Sequence, residues 1–434
     1  DRTGVYGPDV ETGLRRRPSP LLEFAPMPAR REVYADHHAT TPLRPEALEA
    51  MRPWLTGLTA NASSLHAPGR AARAAVEGAR ERIAALLGVR PEELVFTSGG
   101  TESNALAVCG GARAARDGEP LRTRVAYSAA EHAAVREAAR SLRREGFEPL
   151  ELPVDGAGLP REDGLAAAND GRTALLSLLL AGNETGARNG AIAASAAASR
   201  AAGALVHTDA VQAVGKVPVR PSELGVDLLS FTGHKLGGPE GAGVLWVRRG
   251  VRLAPLFTGG GQERGRRGGT ENVAAIAGLA AALDAALSRL AEEGRRLTAL
   301  RDCFEEGLRE RVPGVRVNGL GPAGRLPTAS SVTFPGADGE TLLVALDLEG
   351  VDFDKHSVSV REKGGQTHRY KINREAAKAT LLAENPELQE LVYQRQKDAF
   401  LARQKTKAQR EPGARELLEA LSPRENGGGK LDHG

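Results

Sequence analysis

Residues 93–104 read Glu-Leu-Val-Phe-Thr-Ser-Gly-Gly-Thr-Glu-Ser-Asn, a short apolar run that breaks into small polar residues and then opens a helical pattern. An apolar run this short, bounded by turn residues, reads as a strand over Glu93–Phe96. The same grammar recurs along the chain. Arg124–Tyr127, Thr173–Leu180, Ala204–His207, Asp227–Phe231 and Gly243–Val247 are further runs, with helical patterns at Arg70–Leu87, Ala130–Arg144 and Gly190–Ala202. Such alternation predicts an α/β fold with a largely parallel sheet.

Outward from this body the text changes. Val273–Leu290 reads as a long Ala/Leu helix leading out of the first domain. Residues 296–351 offer a helix, a strand near Ser330–Phe334 and another helix, which suits a second, smaller α/β domain. Residues 1–32 carry Arg15-Arg16-Arg17, several prolines and no periodicity, so they read as a loose leader. Its acidic residues and lack of an apolar segment argue against a signal or transit peptide. The expected division is therefore leader 1–32, large domain 33–290, start of a small domain 291–351, and an atypical segment 352–434.

Lysine usage marks the last boundary. Residues 1–351 contain only Lys216 and Lys235, whereas 352–434 contain eight lysines. Basic and acidic residues balance up to 351, so the net charge of +3 comes from the final segment. There, Ser357–Glu362 and Gln366–Ile372 flank Gly364-Gly365 as an expected hairpin, and Asn385-Pro386-Glu387 opens an expected helix. Its Arg395, Lys397, Arg403, Lys405 and Lys407 read as a solvated face rather than a polyanion patch.

Composition narrows the function classes. With 434 residues, 41% hydrophobic and 26% charged, the chain is an ordinary globular protein of two or three domains. Two cysteines exclude a disulfide framework and any Cys-rich metal site. The small charge gives no reason to expect nucleic acid, and no apolar run approaches the ~18 residues of a membrane span.

Polar clusters follow the expected strands: Thr97–Asn104, Glu131-His132, Gly182–Gly186, Thr208–Gln212 and Thr232–Lys235. In open α/β sheets the carboxyl ends of the strands form the ligand crevice. The Ser98-Gly99-Gly100-Thr101 turn suits an anion at a helix start, although a tight strand-to-helix turn needs the same glycines. Asp209 ends a buried-looking strand, where a carboxylate needs a cationic partner, unless it merely caps the next helix. Lys235 is a lysine kept in an Arg-rich body, which points to an amine that must lose its proton, as Schiff-base chemistry demands. Lys216 reads as an ordinary surface residue. His132 suits stacking on a flat ring or acid–base steps, but a lone His after a strand is commonly structural. A lysine imine, an acidic partner for a ring nitrogen and a phosphate cup together describe pyridoxal phosphate.

Six ordered motifs then carry a resemblance over about residues 33–351. They are Tyr34–Pro42 (YADHHATTP), Asn61–Arg70 (NASSLHAPGR), Phe96–Asn104 (FTSGGTESN), His207–Lys216 (HTDAVQAVGK), Ser230–Lys235 (SFTGHK) and Gly259–Asn272 (GGGQERGRRGGTEN). The chain resembles the group I cysteine desulfurases, within the class V aminotransferase-like, fold-type I pyridoxal phosphate enzymes. The resemblance implies a mostly parallel seven-stranded sheet in the large domain and a cytoplasmic homodimer acting on L-cysteine or a related amino acid. It implies that Lys235 carries the cofactor, Asp209 pairs with its ring nitrogen, and Gln212 and Asn183 approach its hydroxyl. His132 would lie over the ring, while Gly100, Thr101, Thr232 and His234 hold the phosphate. Thr270 would reach the partner's phosphate, from a loop expected to be mobile and cationic. Gly182 replaces the first Asn of the family's Asn-Asn-Glu.

A larger departure comes at 352. The family continues into a Ser/Gly-rich loop with a nucleophilic cysteine, and later an Arg that grips the substrate carboxylate. Here the chain reads Asp352-Phe353-Asp354-Lys355-His356 with no cysteine after Cys303, and no Arg matches. Cys109 and Cys303 both fall in helical patterns and read as packing residues. Three functions are thus in play: a desulfurase supplying sulfur to an acceptor protein for iron–sulfur or thio-cofactor assembly, a C–S lyase without a protein persulfide, and a disabled scaffold.

Overall fold

The computed structural model describes residues 33–57, 60–337, 339–348 and 351–352. The expected leader, C-terminal hairpin and basic helix lie outside the described residues. After β1 (Val33–Tyr34) come α1 (Pro45–Thr56) and α2 (Ala67–Leu87). The strands β2 (Leu94–Thr97), β3 (Arg124–Ser128), β4 (Glu148–Leu152), β5 (Thr173–Ser177), β6 (Leu205–Asp209), β7 (Leu228–Thr232) and β8 (Gly243–Val247) build the main sheet. Between them run α3 (Gly100–Ala105), continued through a π-turn into α4 (Gly111–Gly118), then α5 (Ala133–Ser141), α6 (Glu162–Ala167) and α7 (Ile192–Ala201). The chain goes on through α8 (Val273–Ser288), α9 (Leu290–Arg311), β9 (Arg316–Val317), β10 (Val332–Thr333), α10 (Gly339–Leu348) and β11 (Val351–Asp352).

The sheet has seven strands in the order β2-β8-β7-β6-β5-β3-β4. Only β8 runs opposite to the other six strands. This matches the expected sheet. The strand missing from the apolar-run reading is β4, whose Glu148, Pro149 and Glu151 interrupt the run. It lies at the edge and pairs only with β3, where a proline's missing N–H costs no ladder bond.

Side chains alternate between two cores. Phe96, Leu176, Leu229 and Val244 face one with Ile83 of α2, Ile192 of α7 and Leu279 of α8. Val95, Leu175, Leu228 and Leu245 face the other with Leu106, Val108, Val135 and Leu142. Burial on both faces is why the strands read as unbroken apolar runs rather than alternating ones. α2 is bounded by its sequence: His66 Nδ1 accepts from Gly69 N–H at its start, and Gly88 closes it with φ of 70°.

One expectation changes, and one pairing is new. The helix expected over Val273–Leu290 ends at Ser288, and α9 leaves it at a bend of 70°. The short strands β1 and β11 pair in parallel, Val33 beside Val351 and Tyr34 beside Asp352. The chain's first and last described strands thus meet each other.

The loop 259–272, expected to be mobile, is pinned. Glu263, with φ of 49°, inserts its carboxylate against Arg80 of α2 in a two-pronged pair at 2.9 and 2.7 Å. The two side chains are only 4% and 2% exposed. Glu263 also accepts from Phe96 N–H of β2 at 2.9 Å, and Arg267 binds Glu102 of α3 at 2.8 Å. Glycines give the loop its turns, but charge anchors it. Glu263→Gln would leave a buried guanidinium without its buried counter-charge, with only the half-exposed Glu77 as partner, at a cost of about 3–5 kcal/mol. Glu77→Gln, on the half-exposed side of the same arginine, should cost less than about 1 kcal/mol. Chemical denaturation of the two variants checks this difference.

Candidate active site

Thr97, Ser128, Ser177, Asp209 and Thr232 are the last residues of β2, β3, β5, β6 and β7. These strands run in one direction, so the polar clusters that follow them open on one crevice.

Asp209 lies at its centre, 7% exposed. Its carboxylate accepts from Asn104 Nδ2 at 2.6 Å and from Val211 N–H at 2.9 Å. The Val211 bond is the capping contact foreseen as the alternative role, yet it leaves the charge unbalanced. Among the described residues Asp209 has no ion pair. Burial raises its pKa, while hydrogen bonds from Val211 and Asn104 and the charges of His132 and Lys235 pull it back. Burial, and then the Asp209 charge, push the Glu131 carboxyl well above the usual carboxylate range. The Asn104 side-chain oxygen is buried with no hydrogen-bond partner.

Lys235 ends the turn Gly233–Lys235 directly after β7. Its amine donates to the carbonyls of His38 and of Ala39, the latter at 2.8 Å. His38 is buried, and one ring nitrogen lies 2.9 Å from the Asn183 carbonyl. Burial, then the charge of Lys216, bring the His38 pKa to about 3, so the ring is neutral. Gln212 Nε2 donates to His38 O at 3.0 Å and to Asn183 Oδ1.

The Gly99-Gly100 turn opens α3 beside Thr232. A Cβ on Gly100 would lie 2.9 Å from Val211 Cγ2, and one on Gly243 would lie 2.5 Å from the Gly99 carbonyl carbon. Glycine here is a packing requirement, and it leaves the N–H groups at the helix start open to an anion. Thr232 Oγ1 donates to Ala242 O at 2.9 Å, and His234 Nδ1 lies 3.2 Å from Thr40 Oγ1. Thr101 is exposed at the helix start. His132 is exposed and caps α5, its Nδ1 accepting from Ala134 N–H at 3.1 Å. Thr270 is exposed on the pinned loop.

Three readings from sequence need correction or extension. Lys216 is no ordinary surface residue: it is half-buried, and its amine donates to Gln212 Oε1 at 2.5 Å. Burial and the charge of Lys235 lower its pKa to about 7. Cys109 is buried as expected, its Sγ 3.6 Å from Ala138 O, and burial raises its pKa. Cys303, expected to pack, is exposed on α9. Asn104 and His38 lay inside the quoted motifs, and Glu131 in a polar cluster, without being given a role. Only the fold reveals what they face.

The fold and this set of side chains define a fold-type I pyridoxal phosphate enzyme. The residues fit that group: a buried carboxylate with neutral partners, an unpartnered amide oxygen beside it, a glycine turn open to an anion and a lysine after the strand. The family model for aminotransferase class V matches residues 33–360. A cysteine desulfurase IscS of Dictyoglomus turgidum is 44% identical over 324 residues, covering 74% of this chain and 81% of that one. A cysteine desulfurase of Cereibacter sphaeroides is 45% identical over 321 residues, with the same coverage of 74% and 81%. Among solved structures, a NifS-like protein superposes with a TM-score of 0.69 at 35% identity, covering 75% of this chain and 88% of its own. The chain belongs to the class V aminotransferase family and, within it, to the pyridoxal phosphate-dependent cysteine desulfurases.

No single helix among the described residues is long and apolar enough to cross a membrane.

Asp209→Asn offers a test of the site's electrostatics. An amide at 209 can meet the unpartnered Asn104 oxygen once Asn104 turns over, and it removes a buried charge. The cofactor-free variant should be more stable by roughly 0.5–2 kcal/mol, seen as a higher melting temperature, while cofactor retention on gel filtration falls sharply. Loss of both would mean that Asp209 is structural.

Proposed function

We propose that this chain holds pyridoxal phosphate through Lys235 and acts on L-cysteine, with sulfur transfer to a protein thiol impaired. When bound, pyridoxal phosphate supplies an aldehyde that condenses with an amine, releasing water, and a ring that takes up electron density from the substrate. The reading rests on one observation above all, the uncompensated Asp209 carboxylate within electrostatic reach of Lys235. In this reading Asp209 keeps the ring nitrogen protonated, and Gln212 and Asn183 approach the ring hydroxyl. Gly100, Thr101, Thr232 and His234 bind the phosphate. His132 stacks on the ring and moves protons, and Thr270, exposed on its loop, reaches the phosphate of a second copy in a homodimer. The cytoplasm and a sulfur-acceptor protein belong to the same proposal.

The impairment follows from the cysteines. Desulfuration with persulfide formation turns one cysteine and one protein thiol into one alanine and one persulfide. The thiol must be able to ionise and must reach the substrate sulfur. Cys109 is buried with a raised pKa, Cys303 sits on a helix, and the segment after Val351 brings no cysteine. A charged two-pronged contact to the substrate carboxylate, worth on the order of 1.5–3 kcal/mol, also has no matching arginine.

Two measurements check the proposal. Borohydride reduction of the holoprotein should fix the cofactor on the peptide containing Lys235, and label on Lys216 instead would contradict the assignment. Incubation with cysteine, followed by alkylation and peptide mapping, should yield no stoichiometric persulfide. Persulfide on Cys109 or Cys303 with alanine released in step would overturn the impairment. Free sulfide with pyruvate and ammonia, the redox-neutral products of C–S cleavage of cysteine with water, and no persulfide would favour the lyase reading of the same site.

A further inference from the structure

The second lysine of the body has its own place in the site. Gln212 and Lys216 lie four residues apart, and the backbone curls between them, with Lys216 N–H donating to Ala213 O at 3.0 Å. Gly215 makes the curl possible with φ of 78°. A Cβ there would lie 3.0 Å from Leu236 Cβ and 3.4 Å from Ala286 Cβ, so the turn is packed tightly and Lys216 has little freedom to leave. Its amine rests on Gln212 Oε1 at 2.5 Å.

At the other end of the Gln212 amide, two acceptors receive Nε2: the His38 carbonyl at 3.0 Å and Asn183 Oδ1. A side-chain amide can turn over and exchange its oxygen and nitrogen, and its partners decide which way it points. A protonated lysine is a donor only, and a backbone carbonyl is an acceptor only. With both in place the amide of Gln212 has a single orientation.

We propose that Lys216 is a positioning residue, whose amine holds the Gln212 oxygen and so turns the Gln212 nitrogen toward Asn183 and the edge of the bound cofactor. The inference deepens the proposed function and rests on its placing of Gln212 at the ring hydroxyl. It also accounts for a lysine at 216 in a body that otherwise uses arginine. The compact ammonium fits a half-buried turn where a planar guanidinium has less room.

The lock weakens with pH. Lys216 faces Lys235, His37, His38 and His234. Burial and the Lys235 charge bring its pKa to about 7. Below that value the amine only donates. Above it the amine gains a lone pair and accepts as well as donates, so its hold on the Gln212 oxygen weakens and the His38 carbonyl is left to orient the amide.

The test uses the full chain loaded with pyridoxal phosphate, reading cofactor dissociation and the visible absorption band against pH. Lys216→Met should weaken cofactor retention about tenfold near pH 6, the loss expected for one hydrogen bond from a charged donor, and move the band. Near pH 9 the variant and the wild type should differ by less than about twofold, since by then the wild-type lock has loosened. Lys216→Arg, charged throughout but with less room in the turn, should recover part of the retention that Lys216→Met loses near pH 6. In a Gln212→Ala background, Lys216→Met should add nothing. Unchanged retention and band near pH 6, or a full additional loss in the Gln212→Ala background, would overturn the inference while leaving Lys235 as the cofactor lysine. Borohydride label on Lys216 in the wild type would overturn both.

Discussion

A carboxylate kept from water at the end of β6 sets the terms for its surroundings. Asp209 is stabilised by an amide and a backbone N–H rather than by a cation, and a charge so placed tolerates few others nearby. Burial first, and then that charge, push the Glu131 carboxyl well above the usual carboxylate range, and burial lowers the His207 pKa to about 3. The imidazole of His207 lies 2.9 Å from Ser177 Oγ on β5 and 3.0 Å from Ser230 Oγ on β7. It bolts three adjacent strands together just below Asp209, so the carboxylate rests on a rigid floor.

The two cores explain why the site can be both polar and precise in its placement. Alternate side chains of each strand are buried on opposite faces, and every strand end is held in register by its neighbours. Polar residues just past those ends inherit that positional accuracy, while the loops remain open to a ligand. The loop 259–272 contributes in the same way. Its Glu263–Arg80 and Arg267–Glu102 pairs tie it to α2 and α3, so Thr270 is presented from a fixed support.

Both lysines of the described chain stand in this crevice, and they act on different partners. Lys235 reaches the carbonyls of His38 and Ala39, whereas Lys216 holds Gln212. Both charges add to burial, the largest cause, in bringing the His38 pKa down to about 3, Lys216 more than Lys235. An arginine in either place would keep its charge at every accessible pH and could not share a proton with its surroundings.

Much of this was written in the chain. The apolar runs located six of the seven main strands because those strands are buried on both faces, and β4 escaped because an edge strand needs no such run. Asp209, Lys235 and the Gly99-Gly100 turn were legible because charge, amine or missing side chain is unusual just after a buried strand, whereas Gln212 was indicated only by the family resemblance. Lys216 was misjudged because its surroundings in sequence, Val-Gly-Lys-Val, look like a surface turn. Its true neighbours come from segments that fold over it, such as the one carrying His37 and His38. Asn104 and Glu131 were hidden for the same reason, since burial beside Asp209 depends on strands far apart in sequence. The sequence by itself determined the layered α/β fold and the residue types at the strand ends, through local periodicity and turn chemistry. Which of those residues face one another, which stay neutral and which way the Gln212 amide points, only the tertiary structure decided, because those properties belong to distances between separate strands.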